Sequence, residues 1–285
     1  MDKGKIHLKN IERHFSENAD NWLQRYTDDE ERAQVGHVVL SDRKNYAVKF
    51  LCKYLNTGSI VLDVGCGTGV VSIDLIRKDY FVHALDISES MIALLKKFFR
   101  SNIIPETSYS TQVGDIMNLP IDSIQFDGIL ALGFLEYQED ELLILNHLNK
   151  CLKKGGYLII TGPSKYKLTN FFGLNILAAR FGRQALKKRI KRIFQNENYK
   201  INNQNQTAAP ISINRYSISR FKKLLERCSF SLVDHKQHGY SGFYLLNNLI
   251  TQKNQLKLHT LLSRISNYLP ISRFANDIIV VAIKK

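Results

Sequence analysis

The chain has 285 residues, 44% hydrophobic and 23% charged, the proportions of an ordinary soluble globular protein built on one large core or a core with a smaller lobe. Its four cysteines are far apart and form no C-x-x-C, the first ten residues lack an apolar stretch, and no apolar run approaches the roughly 20 residues of a membrane span. A zinc or disulfide framework, a secretory signal and a transmembrane helix are therefore not expected, a cytoplasmic protein is, and the net charge of +14 leaves nucleic acid, anionic lipid or an acidic metabolite open as partners.

In chain order, Ile11, Phe15, Trp22, Leu23 and Tyr26 have loosely helical spacing. Tyr46, Phe50, Leu51 and Tyr54 then repeat on one face of a second predicted helix, about 42–55. The stretch I-V-L-D-V-G-C-G-T-G-V (60–70) follows: an apolar run ending in Asp63, glycines at 65, 67 and 69, then a helix-compatible segment, 70–78. This pattern predicts a buried parallel strand, a tight turn open to a ligand, and a helix N-terminus. Further strands are predicted at 80–85, 109–113, 126–132, 157–161, 230–234 and 277–283. Helices are predicted at 89–100 with Ser88 as cap, at 139–151, at 220–227 with Ser217 or Ser219 as cap, and through much of 245–269. Strands alternating with helices predict an α/β fold with a parallel sheet. The rhythm breaks at 162–210, which is rich in basic and aromatic residues and ends in a polar Asn/Gln tract with the composition of a disordered loop.

The glycine turn carries the chemistry. A dinucleotide fingerprint G-x-G-x-x-G would need glycine at 70, where valine stands, and both a dinucleotide and other adenosine ligands call for an acid about 20 positions on, supplied by Asp86. Asp63 inside the turn and Asp115 beyond it would repel a pyrophosphate but suit a sulfonium ligand carrying an α-amino group. V-L-D-V-G-C-G-T-G (61–69) resembles the first motif of the class I S-adenosylmethionine-dependent methyltransferases. F-V-H-A-L-D-I-S-E-S-M (81–91), V-G-D-I-M-N-L-P (113–120), F-D-G-I-L-A-L-G-F-L-E-Y (126–137) and L-K-K-G-G-Y-L-I-I (152–160) are similar to its later motifs, in order.

The resemblance implies a Rossmann-like, seven-stranded, mostly parallel sheet flanked by helices, with an antiparallel last strand that residues 278–283 suit. It implies that Asp63 and the backbone at Gly65 hold the methionyl part, that Asp86 takes the ribose hydroxyls with Ile87 on the adenine, and that Asp115 accepts from the adenine amino group beside Ile116. Leu132 and Gly133 would lie near the transferred methyl, and Cys66, Gly67, Gly69, Met91 and Gly114 complete the implied cofactor set. The first segment, with Trp22 and Tyr26, resembles a helical lid, and Tyr26 is expected either to shield the sulfonium or to pack in the core. Small-molecule members of the family often have a histidine at or near the position of Tyr137.

Methyl transfer from a sulfonium is an in-line displacement to which positioning alone contributes much, so no general base is obligatory. The candidates for one are His37, Tyr137, His235 and His238; His147 reads as structural, and no cluster has metal-ligand spacing. Between Arg180 and Lys200 there are eight basic residues and one acidic. As a helix, Leu186, Ile190, Ile193 and Phe194 would share a stripe, giving three readings: the roof of a substrate pocket, an anionic-membrane contact through 171–194, or, weakest, a nucleic-acid surface. The resulting division is a lid at 1–44, a cofactor-binding core at 45–165, a basic cap at 166–216 and a C-terminal part of the core at 217–285. The expected activity is methyl transfer to oxygen or nitrogen of a small-molecule acceptor. A lipidic, RNA or protein acceptor is the alternative, and a non-catalytic scaffold is the least favoured class.

Overall fold

In the computed structural model, residues 3–17, 19, 35–120, 125–166, 199–200, 212–240, 251–266 and 270–285 are described. Two helices, α1 (Lys3–Glu17) and α2 (Val35–Tyr54), precede β1 (Ile60–Val64). Then come α3 (Val70–Ile76), β2 (Phe81–Asp86), α4 (Glu89–Ser101), β3 (Tyr109–Val113), β4 (Phe126–Ala131), α5 (Glu141–Cys151) and β5 (Leu152–Pro163). A two-stranded pair, β6 (Tyr199–Lys200) with β7 (Ser212–Ile213), is followed by α6 (Ile218–Arg227), β8 (Phe230–His238), α7 (Gln252–Ile265) and β9 (Asp277–Lys284).

Seven strands make one sheet in the order β3-β2-β1-β4-β5-β9-β8, with β1 to β5 parallel and β9 antiparallel to both its neighbours. This is the Rossmann-like arrangement expected from the alternating pattern, with the last strand reversed. Helices cover both faces. Ala47, Leu51, Ile73, Leu75, Leu95 and Phe99 of α2, α3 and α4 pack on one side, and Leu145, Leu148, Phe221 and Leu225 of α5 and α6 on the other. With apolar layers above and below, the central strands are near-continuous runs of Val, Ile, Leu and Ala.

Helix caps follow the sequence chemistry: the side chains of Ser88, Asp140 and Ser217 accept from the backbone N–H three residues on. Three boundaries differ from expectation. β8 runs on to His238 because it pairs with β9 along its length, and a register shift between Leu232 and Asp234 hides the continuation by breaking the alternation. β5 starts at Leu152, so the Lys154–Gly155–Gly156 stretch is an irregularity inside a strand rather than a separate turn. α2 begins at Val35, seven residues before the expected start, through a β-branched opening that weakens the helical signal. Trp22, Tyr26 and most of the basic insertion, including 171–194, lie outside the described residues, as does the stretch 241–250.

Candidate cofactor and acceptor cleft

β1 and β4 are neighbours in the sheet, and the chain order reverses between them, which opens a crevice beyond their C-terminal ends. A cleft of about 240 Å³ lies there, reached by the turns after β1, β2, β3 and β4 and walled on its outer side by Leu8, Ile11 and Phe15 of α1. α1 is tied down at both ends. His7 Nε2 donates to the Tyr137 carbonyl at 2.7 Å, and Ser16 hydrogen-bonds the Ser88 hydroxyl at 2.8 Å.

The glycine turn is locked from β2. Gly65 and Cys66 donate their amides to the Leu85 carbonyl at 2.8 and 3.1 Å. Gly67 N–H donates to Asp86 Oδ2 at 2.8 Å, and Ser88 N–H donates to Asp86 Oδ1 at 2.9 Å. Gly65, Gly67 and Gly69 all have positive φ, but their reasons differ. A Cβ on Gly67 would meet nothing within 4 Å, so that position opens onto free space. A Cβ on Gly69 would lie 2.7 Å from Leu95 and 2.8 Å from Phe99. Gly69 is thus the N-terminal cap of α3 packed against α4; it does not line the cleft. Asp63 is buried beneath the turn and accepts from the Ser72 hydroxyl at 2.6 Å. Burial pushes its carboxyl up to about 6; the Ser72 hydrogen bond opposes this and neighbouring Asp86 adds to it. Burial likewise raises Asp86, against the pull of the backbone amides it accepts. Asp115 caps the short turn after β3, accepting from Met117 N–H at 3.0 Å.

Of the residues expected to hold the cofactor, Asp63, Gly65, Cys66, Gly67, Asp86, Ile87, Met91, Gly114, Asp115, Ile116, Leu132 and Gly133 line this one cleft; Tyr26 is outside the described residues. Of the base candidates, Tyr137 lines it. His37 is half-buried on α2, His235 is exposed on the edge strand β8, and His238 is buried beside Tyr46; none of these three is in the lining. His235 and His238 sit within β8 itself, because the strand continues past residue 234. Residues not foreseen are Arg43 and Glu136. Glu136 lies in the short turn that follows β4, five residues beyond Ala131, and an acid in the loop after a largely apolar strand was the available signal. Arg43 had none, since its partner is 234 residues away: its Nε donates to Asp277 Oδ2 at 2.8 Å, and Nη2 also reaches the same oxygen.

Residues 62–160 match the family model described as a methyltransferase domain. The core segment 62–160 is a methyltransferase domain set in a Rossmann-like sheet. The chain is 30% identical over 130 residues to the magnesium-protoporphyrin O-methyltransferase of Rhodobacter capsulatus, covering 45% of this chain and 56% of that protein. It is 32% identical over 104 residues to a ubiquinone biosynthesis O-methyltransferase of Coxiella burnetii, covering 36% and 43%. The match thus spans about half the length of these curated relatives. In fold it resembles the magnesium protoporphyrin IX methyltransferase from Synechocystis PCC 6803 with bound S-adenosylhomocysteine, with a TM-score of 0.63 at 18% identity over 96% of this chain and 98% of that one.

The methyltransferase cleft also passes a chemical test. Among its described lining residues the acids are Asp63, Asp86, Asp115 and Glu136, against a single cation, Arg43, which is already bonded to Asp277. Such a lining repels pyrophosphate and suits S-adenosylmethionine, whose ammonium and sulfonium are both positive. Space at Gly67 is unfilled, and Ile87, Met91 and Ile116 give the lining apolar surface.

Proposed function

We propose that the protein transfers a methyl group from S-adenosylmethionine to an oxygen or nitrogen of a small-molecule acceptor. The observation that carries this reading is the acidic ring around the glycine turn, three of whose carboxylates end or follow successive strands. Asp63 would pair with the methionyl ammonium, Asp86 would accept from the ribose hydroxyls, and Asp115 would accept from the adenine amino group. The cofactor supplies an electrophilic methyl on a positively charged sulfur. The chain's own task is to hold the acceptor against it, and effective molarities of about 10⁵–10⁸ M show how much positioning contributes. Two of the relatives are named O-methyltransferases, which supports oxygen as the accepting atom.

The placement of the insertion supports an enclosed acceptor site. The described chain leaves the core at Tyr166 and returns at Ser212, and both flanks meet beside the cleft. Ser164 bridges Tyr216, and Asn214 N–H donates to the Glu136 carbonyl at 2.8 Å. The basic segment would then cap the acceptor. Calorimetric titration tests the cofactor reading: S-adenosylmethionine and S-adenosylhomocysteine are expected to bind, and NAD is not. Tight binding of NAD, or none of S-adenosylmethionine, would overturn it.

A further inference from the structure

In the turn after β4, one buried carboxyl is only partly satisfied: it accepts from its own backbone N–H and lies near the Arg43 guanidinium. Glu136 is 4% exposed, lines the cleft, and its Oε2 is buried with no hydrogen-bond partner among the described residues. Buried carboxylate oxygens are nearly always satisfied, and an orphan in a functional cleft calls for a ligand donor. The surroundings hold this group in place. Gly133, at φ +64, donates its N–H to the Thr161 hydroxyl at 2.8 Å, and a Cβ there would stand 2.8 Å from Arg43 Nη1 and 3.7 Å from Glu136 Oε1. Arg43 and Glu136 therefore flank the same glycine, the position that the family resemblance puts beside the transferred methyl.

Resting on the methyltransferase reading, we infer that Glu136 is the proton acceptor of the transfer step and that the substrate is a phenol-class hydroxyl. The acceptor O–H proton passes to Glu136, the oxygen forms its new bond to the methyl carbon, and the pair from the breaking S–CH₃ bond returns to sulfur, which becomes neutral. The proton then leaves Glu136 to solvent, so no further reactant is needed.

Substrate class follows from the apolar walls of the cleft together with matched acidities. Burial pushes the Glu136 carboxyl up to about 7, the Arg43 guanidinium opposes the rise and Asp277 reinforces it. The other polar groups near it are the Tyr216 hydroxyl, whose own ionisation Glu136 disfavours, and Tyr137 beside it in the chain. A carboxylate of that strength is matched to a phenol, with a value of about 10, far better than to an alkyl alcohol, and it would repel an acceptor that is already an anion. Leu40, Phe134 and Phe15 give the cleft apolar walls that suit a ring.

The test compares wild type with Glu136→Gln, using tritiated S-adenosylmethionine and a series of substituted phenols at neutral pH. Both proteins are expected to bind S-adenosylmethionine, and rates are compared with the cofactor saturating. For phenols protonated at that pH, the variant should lose about 10²- to 10⁴-fold in kcat. The loss should shrink towards none for phenols with electron-withdrawing groups that are already ionised. An equal loss across the series would make Glu136 structural and overturn the inference. Failure of wild type to methylate any phenol while binding the cofactor normally would overturn the substrate class. No cofactor binding at all would be the separate failure of the methyltransferase reading, and would remove this inference with it.

Discussion

On one side of the cleft, Asp86 reaches a backbone amide 19 positions away; on the other, Arg43 reaches a carboxylate across 234 positions. The cofactor side is a local device in which acids at strand ends grip neighbouring turns through backbone N–H groups. The proposed acceptor side is a tertiary device, in which a side-chain pair joins α2 to the last strand beside the turn after β4. Damage to the first should therefore appear mainly in ligand affinity, and damage to the second mainly in stability. The predictions below test that division.

The largest effect is expected at Arg43→Met. Asp277 is 3% exposed, and losing the guanidinium leaves its carboxylate buried without its cation. Breaking one partner of a buried pair costs about 3–5 kcal/mol, to be read from urea unfolding. Adding Asp277→Asn should recover most of that loss; a double variant as unstable as the single one would show that the pair does not hold the acceptor side together. Next comes Asp86→Ala, which frees the Gly67 and Ser88 amides and removes the proposed ribose acceptor. Hydrogen bonds to charged groups contribute about 1.5–3 kcal/mol each, so S-adenosylmethionine affinity should fall by on the order of 100-fold, measured calorimetrically, with a smaller change in stability.

A third prediction uses pH. Because folding raises the Asp63 carboxyl from 3.8 to about 6, the folded state holds that proton more tightly than the unfolded chain. The ligand-free protein should therefore lose stability as pH rises through that interval, by about 2–3 kcal/mol at most. Cofactor affinity should run the other way. The methionyl ammonium needs the carboxylate ionised, so binding should weaken about tenfold for each unit below pH 6. Asp63→Asn should flatten the affinity profile and remove only its own share of the stability slope, leaving those of Asp42 and Glu136, and an unchanged affinity profile would break the assignment of Asp63 to the ammonium.

The same contrast explains what could be read from the sequence. β1 to β5, their intervening helices and the acids Asp63, Asp86 and Asp115 are visible because each is signalled by its neighbours: an apolar run, a glycine, a cap. Gly69 shows the limit of such reading, since its motif position implies ligand contact while its missing side chain makes room for Leu95 and Phe99 on another helix. Glu136 was legible as an acid but not as an orphan, because only packing shows that its Oε2 has no partner among the described residues. The Arg43–Asp277 pair was beyond local pattern altogether. His235 and His238 were misjudged as following a strand because the irregularity at Leu232–Asp234 interrupts the alternation by which a strand is recognised.

The smallest effects separate the two sides most cleanly, because they compare the same chemistry in two places. Ser88 caps α4, accepting from Met91 N–H at 3.2 Å, and Ser217 caps α6, accepting from Arg220 N–H at 3.2 Å. Either serine changed to alanine should cost about 1 kcal/mol of stability. Ser88, however, also holds Ser16 of α1 and donates its backbone N–H to Asp86, whereas Ser217 stands at the head of a helix whose apolar residues, Phe221 and Leu225, pack into the core. Ser88→Ala should accordingly weaken S-adenosylmethionine binding as well, by loosening the α1 wall, while Ser217→Ala should leave it unchanged. Equal affinities in the two variants would mean that α1 does not close the cofactor side; a loss at Ser217 would mean that the two sides of the cleft are coupled through the sheet.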